Sequence, residues 1–159
     1  MQDRTYADLK ALIQALSGVG SFTTEEDVNI VNFVNRRASQ AYHMSPSWPR
    51  YLVASEERTI TTANLIPYEQ ATKNDIGEFV RIHRTQAFLN NSALEYDFFV
   101  DSNGANILNL VATTDTSAFV TYKKELALFT ADSTDIPGEF FNFLAHSAYA
   151  DFLRMDGQH

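Results

Sequence analysis

The side chains able to do chemistry are few and scattered. Cysteine is absent, which removes thiolate metal sites, cysteine nucleophiles and disulfides. The four histidines, His43, His83, His146 and His159, never fall three or four residues apart, so a helical two-histidine metal site has no basis. His146 lies beside an aromatic stripe and reads as a packed or surface residue; His83 alternates with Ile82 and Arg84 and reads as solvent-facing. Carboxylates cluster at Glu25-Glu26-Asp27 and Glu56-Glu57. The first group opens a predicted helix, where negative charge complements the backbone dipole. The second is placed at a turn between strands, and neighbouring strand residues point opposite ways, unlike a catalytic pair converging on one bond. Asp101-Ser102-Asn103-Gly104 has the opening of a calcium loop but neither its later ligands nor its closing glutamate. No G-x-S-x-G elbow and no phosphate-binding glycine loop occurs. The basic pairs Arg36-Arg37 and Lys123-Lys124 are too few for a groove tracking a nucleic-acid backbone. These residues therefore lend no support to an active site, a metal centre or a bound cofactor.

The whole-chain totals agree with a binding or structural role. A length of 159 residues with 45% apolar residues suits one folded domain with a core, and twelve Phe, seven Tyr and one Trp make that core aromatic. A formal net charge of −8 opposes broad gripping of nucleic-acid phosphates, although it does not exclude a wall past which DNA slides without sticking. The first residues, MQDRTYADLK, lack the apolar run of a signal peptide, and no stretch approaches the length of a membrane span.

The elements that must position these residues fall in a clear order. Thr5 caps a predicted helix bearing Tyr6, Leu9, Leu12, Ile13 and Leu16, stopped by Ser17-Gly18-Val19-Gly20. Thr23 and Glu26 have capping-box spacing and open a second helix, with Val28, Val31, Val34, Ala38 and Ala41 or Tyr42 inward and Asn32, Asn35, Arg36 and Gln40 on or near the other side. It ends near Met44, before Pro46 and Pro49. A β region follows: Tyr51–Ala54, Arg58–Thr62, an edge segment at Ile66-Pro67-Tyr68, then Glu78–Arg84 before a polar pause at Asn90-Asn91-Ser92. Tyr96–Asp101 and Asn106–Leu110 flank Asn103-Gly104, a hairpin signal because both residues accept positive φ. A last strand covers Ala118–Lys124, and a polar loop runs from Thr130 to Asp135. Asp135 and Pro137 then open a terminal helix with Phe140, Leu144, Ala148 and Phe152 on one buried stripe, flanked by Phe141, Ala145 and Leu153, and with Gly157 as its stop. The fold class predicted is α+β: the N-terminal helices and the long C-terminal helix pack together (1–48 with 135–159), and a small antiparallel β part (51–131) is inserted between them, all within a single domain.

One segment suits assembly better than catalysis. Tyr42-His43-Met44-Ser45-Pro46-Ser47-Trp48-Pro49 places aromatic and Met side chains beside proline-stiffened chain, a composition favoured at protein interfaces. Trp48 can equally plug the core, and the two readings stand side by side.

The run Asn29-Ile30-Val31-Asn32-Phe33-Val34-Asn35-Arg36-Arg37-Ala38 leading to Ala41-Tyr42 and Trp48-Pro49, the strand region after it, and Ile136-Pro137-Gly138-Glu139-Phe140 followed by Ala148-Tyr149-Ala150-Asp151-Phe152-Leu153 and Gly157-Gln158 carry a resemblance across nearly the whole chain. It resembles the head-to-tail connector, or adaptor, proteins of tailed bacteriophages. It departs from the plainest helical adaptors in its longer strand region and in ending at His159 almost without a tail. Any tail contact with a portal would thus fall to Met155–His159 or to other residues. The resemblance implies a virion structural protein of the neck, assembled in the host cytoplasm, without enzymatic activity. It would form a homo-oligomeric twelve-copy ring beneath the portal protein, extend the DNA channel without specific DNA binding, and dock a downstream tail or nozzle protein. The interface residues expected are Tyr42, Met44, Trp48, Asn103, Gly104, Met155, Asp156, Gln158 and His159. Another neck ring, a stopper or tail terminator, is the nearest alternative. A small α+β hydrolase or ligand-binding domain is a more distant one, requiring a pocket that joins His83 or His146 to a carboxylate.

Overall fold

The computed structural model describes residues 2–46, 48–70, 73–86, 94–112 and 114–155. In chain order the elements are β1 (Asp3–Arg4), α1 (Tyr6–Ser17), α2 (Thr24–His43), β2 (Leu52–Thr59), β3 (Leu65–Pro67), β4 (Ile76–His83), β5 (Glu95–Tyr96), β6 (Phe98–Val100), β7 (Gly104–Ile107), β8 (Ser117–Lys124), β9 (Ile136–Pro137) and α3 (Gly138–Met155). The fold is α+β. It comprises two compact units: Met1–Pro46 with Leu126–His159, and Ser47–Glu125.

The helical unit begins where local chemistry says it should. The Thr5 side chain accepts from the Asp8 N–H at the start of α1, and Gly18 ends the helix with φ 71°, a left-handed conformation that glycine adopts without a Cβ penalty. Thr23 and Glu26 close a reciprocal capping box on α2, at 3.2 and 2.9 Å. The inward face of α2 is the predicted one from Val34 onward and differs only in its first turns. Ile30, Val34, Ala38, Ala41 and Tyr42 are buried, whereas Val28 is 57% exposed. The apolar stripe of α3 is as predicted: Phe140, Phe141, Leu144, Ala145, Ala148 and Phe152 are all buried. This helix packs on both α1 and α2, and Phe152 meets Phe22 with ring centroids 5.4 Å apart.

Two predictions about the ends of the terminal helix need correction. Asp135 does not cap it, and Pro137 is not in its first turn. Ile136 and Pro137 instead pair antiparallel with Arg4 and Asp3, and the helix starts at Gly138. A two-residue pairing brings the chain's beginning to the entrance of α3, something local propensity cannot announce. Gly157 lies outside the described residues. The boundary of the β part also shifts. Leu126 onward belongs with the helices, because the Asn35 side chain grips the backbone of buried Phe129 through two hydrogen bonds of 2.9 and 2.7 Å. Asn35 is thus a clamp, not a solvent-facing residue.

The β unit holds a four-stranded sheet, order β2-β8-β4-β5, and a three-stranded sheet, order β3-β7-β6, all antiparallel. One core joins both sheets, built from Ile60, Ile66, Ile76, Phe79, Ile82, Tyr96, Ala105, Ile107, Ala118, Val120 and Tyr122. The two runs predicted on either side of Glu56-Glu57 are one strand, β2. A register shift between Val53 and Glu56 and a positive φ of 48° at Ser55 mark a bulge that the strand passes through without turning. β3 with its Pro67 is an edge strand, as proline requires. The polar pause at Asn90-Asn91-Ser92 lies outside the described residues.

Candidate functional site

Two buried polar clusters could be mistaken for reaction centres. In the β unit Arg58 is 1% exposed. Its guanidinium reaches Asp75 at 2.8 Å, the Tyr122 hydroxyl at 2.8 Å, the Lys73 carbonyl at 3.0 Å and Glu56 at 3.2 Å. The Tyr122 hydroxyl also lies 3.0 Å from Asp75 and 3.2 Å from Glu56. Burial opposes ionisation of Asp75 and Glu56, yet Arg58 and the Tyr122 hydroxyl hold Asp75, and Lys73 and Arg58 hold Glu56, below the usual carboxylate range. Burial, reinforced by Asp75, pushes the Tyr122 phenol up. Every member is engaged by another, so the cluster is a strut fixing β2 against β8. Lys123 is likewise buried, with its ammonium pKa lowered by burial, whereas Lys124 is exposed.

In the helical unit Asp151 of α3 is buried and binds Arg37 of α2 through both oxygens, at 2.9 and 2.8 Å. Arg36 adds 2.9 Å, and Arg154 lies at 3.6 Å. Hydrogen bonds from Arg37, then from Arg36, hold the Asp151 carboxyl below its ordinary range. Arg36 and Arg37 therefore latch α2 to α3. A shallow depression lined by Asn29, Phe33, Arg36, Asp151, Arg154 and Met155 opens beside the latch.

The nine expected interface residues separate under this structure. Tyr42 is 6% exposed and belongs to the helical core, edge-on to His43; its aromatic ring is used inside, which corrects the interface reading. Met44 caps α2 and is 73% exposed. Trp48 is half-buried in the other unit, where its carbonyl accepts from the Tyr51 and Leu52 N–H groups at 3.0 and 3.1 Å. Met155 is exposed, and its sulfur accepts from the Asn29 amide at 3.1 Å. Asp156, Gln158 and His159 lie outside the described residues. His146 is exposed and His83 is half-buried, which corrects the solvent-facing placement of His83.

Asn103 and Gly104 do stand in a hairpin, β6 to β7, but for a different reason than positive φ at both. Asn103 has no positive φ. The turn is set by the Asp101 carboxylate, which accepts from the N–H groups of Asn103 and Gly104 at 2.8 and 3.2 Å, an Asx-type turn. Those backbone hydrogen bonds, led by that from Asn103, hold the Asp101 carboxyl below its usual range. The Asn103 carbonyl accepts from Tyr68 at 3.1 Å. Gly104 is buried with φ 145°, and a Cβ there would collide with the Ile66 carbonyl and come within 2.8 Å of the Pro67 Cα. Gly104 thus lets β7 lie close against β3 and does not project as a contact residue.

The exposed apolar groups sit just before and after this turn. Phe99 is 52%, Val100 45% and Leu108 64% exposed. Phe99 pairs with Asn106, so Leu108, two residues on, is its diagonal neighbour on the outward face. β6 is also an edge of its sheet. An edge strand with apolar residues on its solvent face is a ready template for another protein. Sequence reasoning reached this hairpin through Asn103-Gly104 but named its turn rather than its flank. The signal available was Phe98-Phe99-Val100: a run too apolar for a strand with only one buried face.

Among the described residues no group of three His, Asp or Glu is placed to hold a metal ion, and no helix is long and apolar enough to cross a membrane. Comparison of the chain with protein-family models, curated proteins and solved structures returns no match in any of the three.

Proposed function

We propose that this protein is a head-to-tail adaptor of a tailed bacteriophage, a virion structural protein that forms a homo-oligomeric ring beneath the portal, lengthens the DNA channel and docks the tail. The observation that carries the reading is the outward apolar flank of the β6–β7 hairpin, Phe99 and Leu108, beside an open strand edge on which Val100 is also exposed. Such a surface costs free energy in water and is stabilised by a neighbouring protein. A helical unit closed by the terminal helix, with a β unit inserted in the chain, accords with the arrangement that the sequence resemblance implies. A ring needs two different contact faces on each subunit. The net charge of −8 suits a lumen that repels DNA phosphates and keeps the passing duplex from adhering.

Mass photometry and negative-stain microscopy of the full chain, alone and mixed with the portal of the same phage, test the proposal. Rings that bind the portal support it. A chain that stays monomeric in the portal's presence overturns it, and rings that ignore the portal but bind a tail component reassign it to a stopper or tail terminator.

A further inference from the structure

The open edge of β6 has a direction and a charge pattern. The Leu108 N–H donates to the Asp97 carbonyl at 2.8 Å and the Asp101 N–H donates to the Gly104 carbonyl at 3.0 Å, with Phe99 opposite Asn106 between them. In an antiparallel ladder the hydrogen-bonded residues alternate. Asp97, Phe99 and Asp101 therefore bond toward β7, and the N–H and C=O groups of Phe98 and Val100 point to the unpaired side. Side chains alternate as well. Phe98 turns to the core, where its ring lies 6.4 Å from that of Phe79, and Asp97, Phe99 and Asp101 share the outer face. That face reads acid, aromatic, acid. Asp97 and Asp101 are exposed, and neither forms an ion pair within the described residues.

We propose that β6 accepts an added strand from a different protein, an extended segment with Lys or Arg at positions i and i+4 and an apolar residue at i+2. Backbone hydrogen bonds to Phe98 and Val100 hold the strand, the apolar residue covers Phe99, and the two cations meet Asp97 and Asp101. A second copy does not fit in the register centred on Phe99. Antiparallel self-pairing of β6 about Phe99 sets Asp97 opposite Asp101 twice over, and like charges directly opposed are destabilising. The other described edge strands of this chain offer no such pattern: β1 is Asp-Arg, β9 is Ile-Pro, β3 is Leu-Ile-Pro, β5 is Glu-Tyr, and the one cation of β2, Arg58, is buried. The two aspartates thus disfavour self-pairing in that register while selecting a basic partner. The inference names the partner chemistry of the surface on which the adaptor reading rests, yet its test is separate.

The probe is the capped peptide Thr-Lys-Thr-Val-Thr-Lys-Thr, with Thr-Glu-Thr-Val-Thr-Glu-Thr as its control, titrated into isotope-labelled full chain by NMR. The basic peptide is expected to shift the amides of Phe98, Phe99 and Val100. Raising salt from low to physiological strength should weaken it by about tenfold, since exposed ion pairs are screened. Val100→Pro removes a donor aimed at the open side and leaves the β7 bonds in place, so it should abolish the shifts while the rest of the spectrum is preserved. Asp97→Lys touches no hydrogen bond of the fold and should reverse the preference toward the acidic peptide. Equal shifts from both peptides, no shift at β6 up to millimolar peptide, or binding unchanged in both variants overturns the inference. Rings on the portal together with any of those results leave the adaptor reading intact; a portal-blind monomer that still binds the basic peptide does the reverse.

Discussion

Replacing Asp151 with asparagine removes the one negative charge that three guanidiniums share. The carboxylate side chain is 2% exposed and receives the Arg37 fork at 2.8 and 2.9 Å, with Arg36 at 2.9 Å. Breaking a fully buried ion pair costs about 3–5 kcal/mol, because a charge is left without compensation. Here Arg37 keeps 20% and Arg36 58% of its side chain in solvent, and water recovers part of the loss, so about 2–3 kcal/mol is expected. In a chain of this size that lowers the thermal midpoint by about 5–10 °C. Helices α1 to α3 all belong to one unit, whereas the single Trp, Trp48, belongs to the other. Far-ultraviolet circular dichroism therefore reports the latch, and tryptophan fluorescence reports the β unit. The sign with pH follows from the depressed Asp151 pKa. A carboxylate of this kind contributes stability that is complete above its unfolded value, about 3.9, and is lost as pH falls through the folded value. Wild-type helical stability should decline in that acid range more steeply than that of Asp151→Asn. A loss below about 0.5 kcal/mol at neutral pH, or parallel acid curves for the two proteins, refutes the latch.

Three further substitutions test other parts of the structure. Gly104→Ala forces a Cβ onto the Ile66 carbonyl at a φ of 145° and should destabilise the β unit by about 2–4 kcal/mol, read by the denaturant midpoint of Trp48 fluorescence. Tyr122→Phe removes the hydroxyl that Arg58 donates to at 2.8 Å and should cost about 1–3 kcal/mol in the same assay; a neutral result would mean the strut is dispensable. Tyr6 has a buried hydroxyl without a hydrogen-bond partner among the described residues, and burial, aided by Asp27, pushes its phenol up to about 12. A raised phenol pKa contributes stability that is present below the unfolded value, about 10, and lost as pH rises toward 12. Tyr6→Phe should accordingly be neutral or stabilising at pH 7, within about 1 kcal/mol, and should blunt the alkaline loss of helical signal; a marked loss at neutral pH would contradict the unpartnered hydroxyl.

What the sequence determined by itself was whatever a few neighbouring residues decide. Thr5, Gly18, Thr23 and Glu26 mark helix ends because their side chains or backbone freedom satisfy groups one turn away. The Phe140–Leu144–Ala148–Phe152 stripe names its own buried face, since four-residue spacing leaves no other. The β6–β7 hairpin was legible from Asn103-Gly104, although Asp101 rather than Asn103 shapes the turn. Tertiary structure alone decided the fate of the charged residues. Nothing near Arg58, Lys123 or Asp151 in the sequence announces burial, because a buried charge is tolerated only where partners converge. The partners of Arg58 and Asp151 come from strands and helices far along the chain. The same holds for Ile136-Pro137, which pair with Asp3-Arg4 across the whole length of the sequence, and for β2, whose bulge at Ser55 keeps one strand where local pattern showed two. Exposure of Phe99 and Leu108 belongs to this second class: an apolar residue on a strand declares a preference for burial, and only the assembled sheets reveal that no part of the described chain provides it.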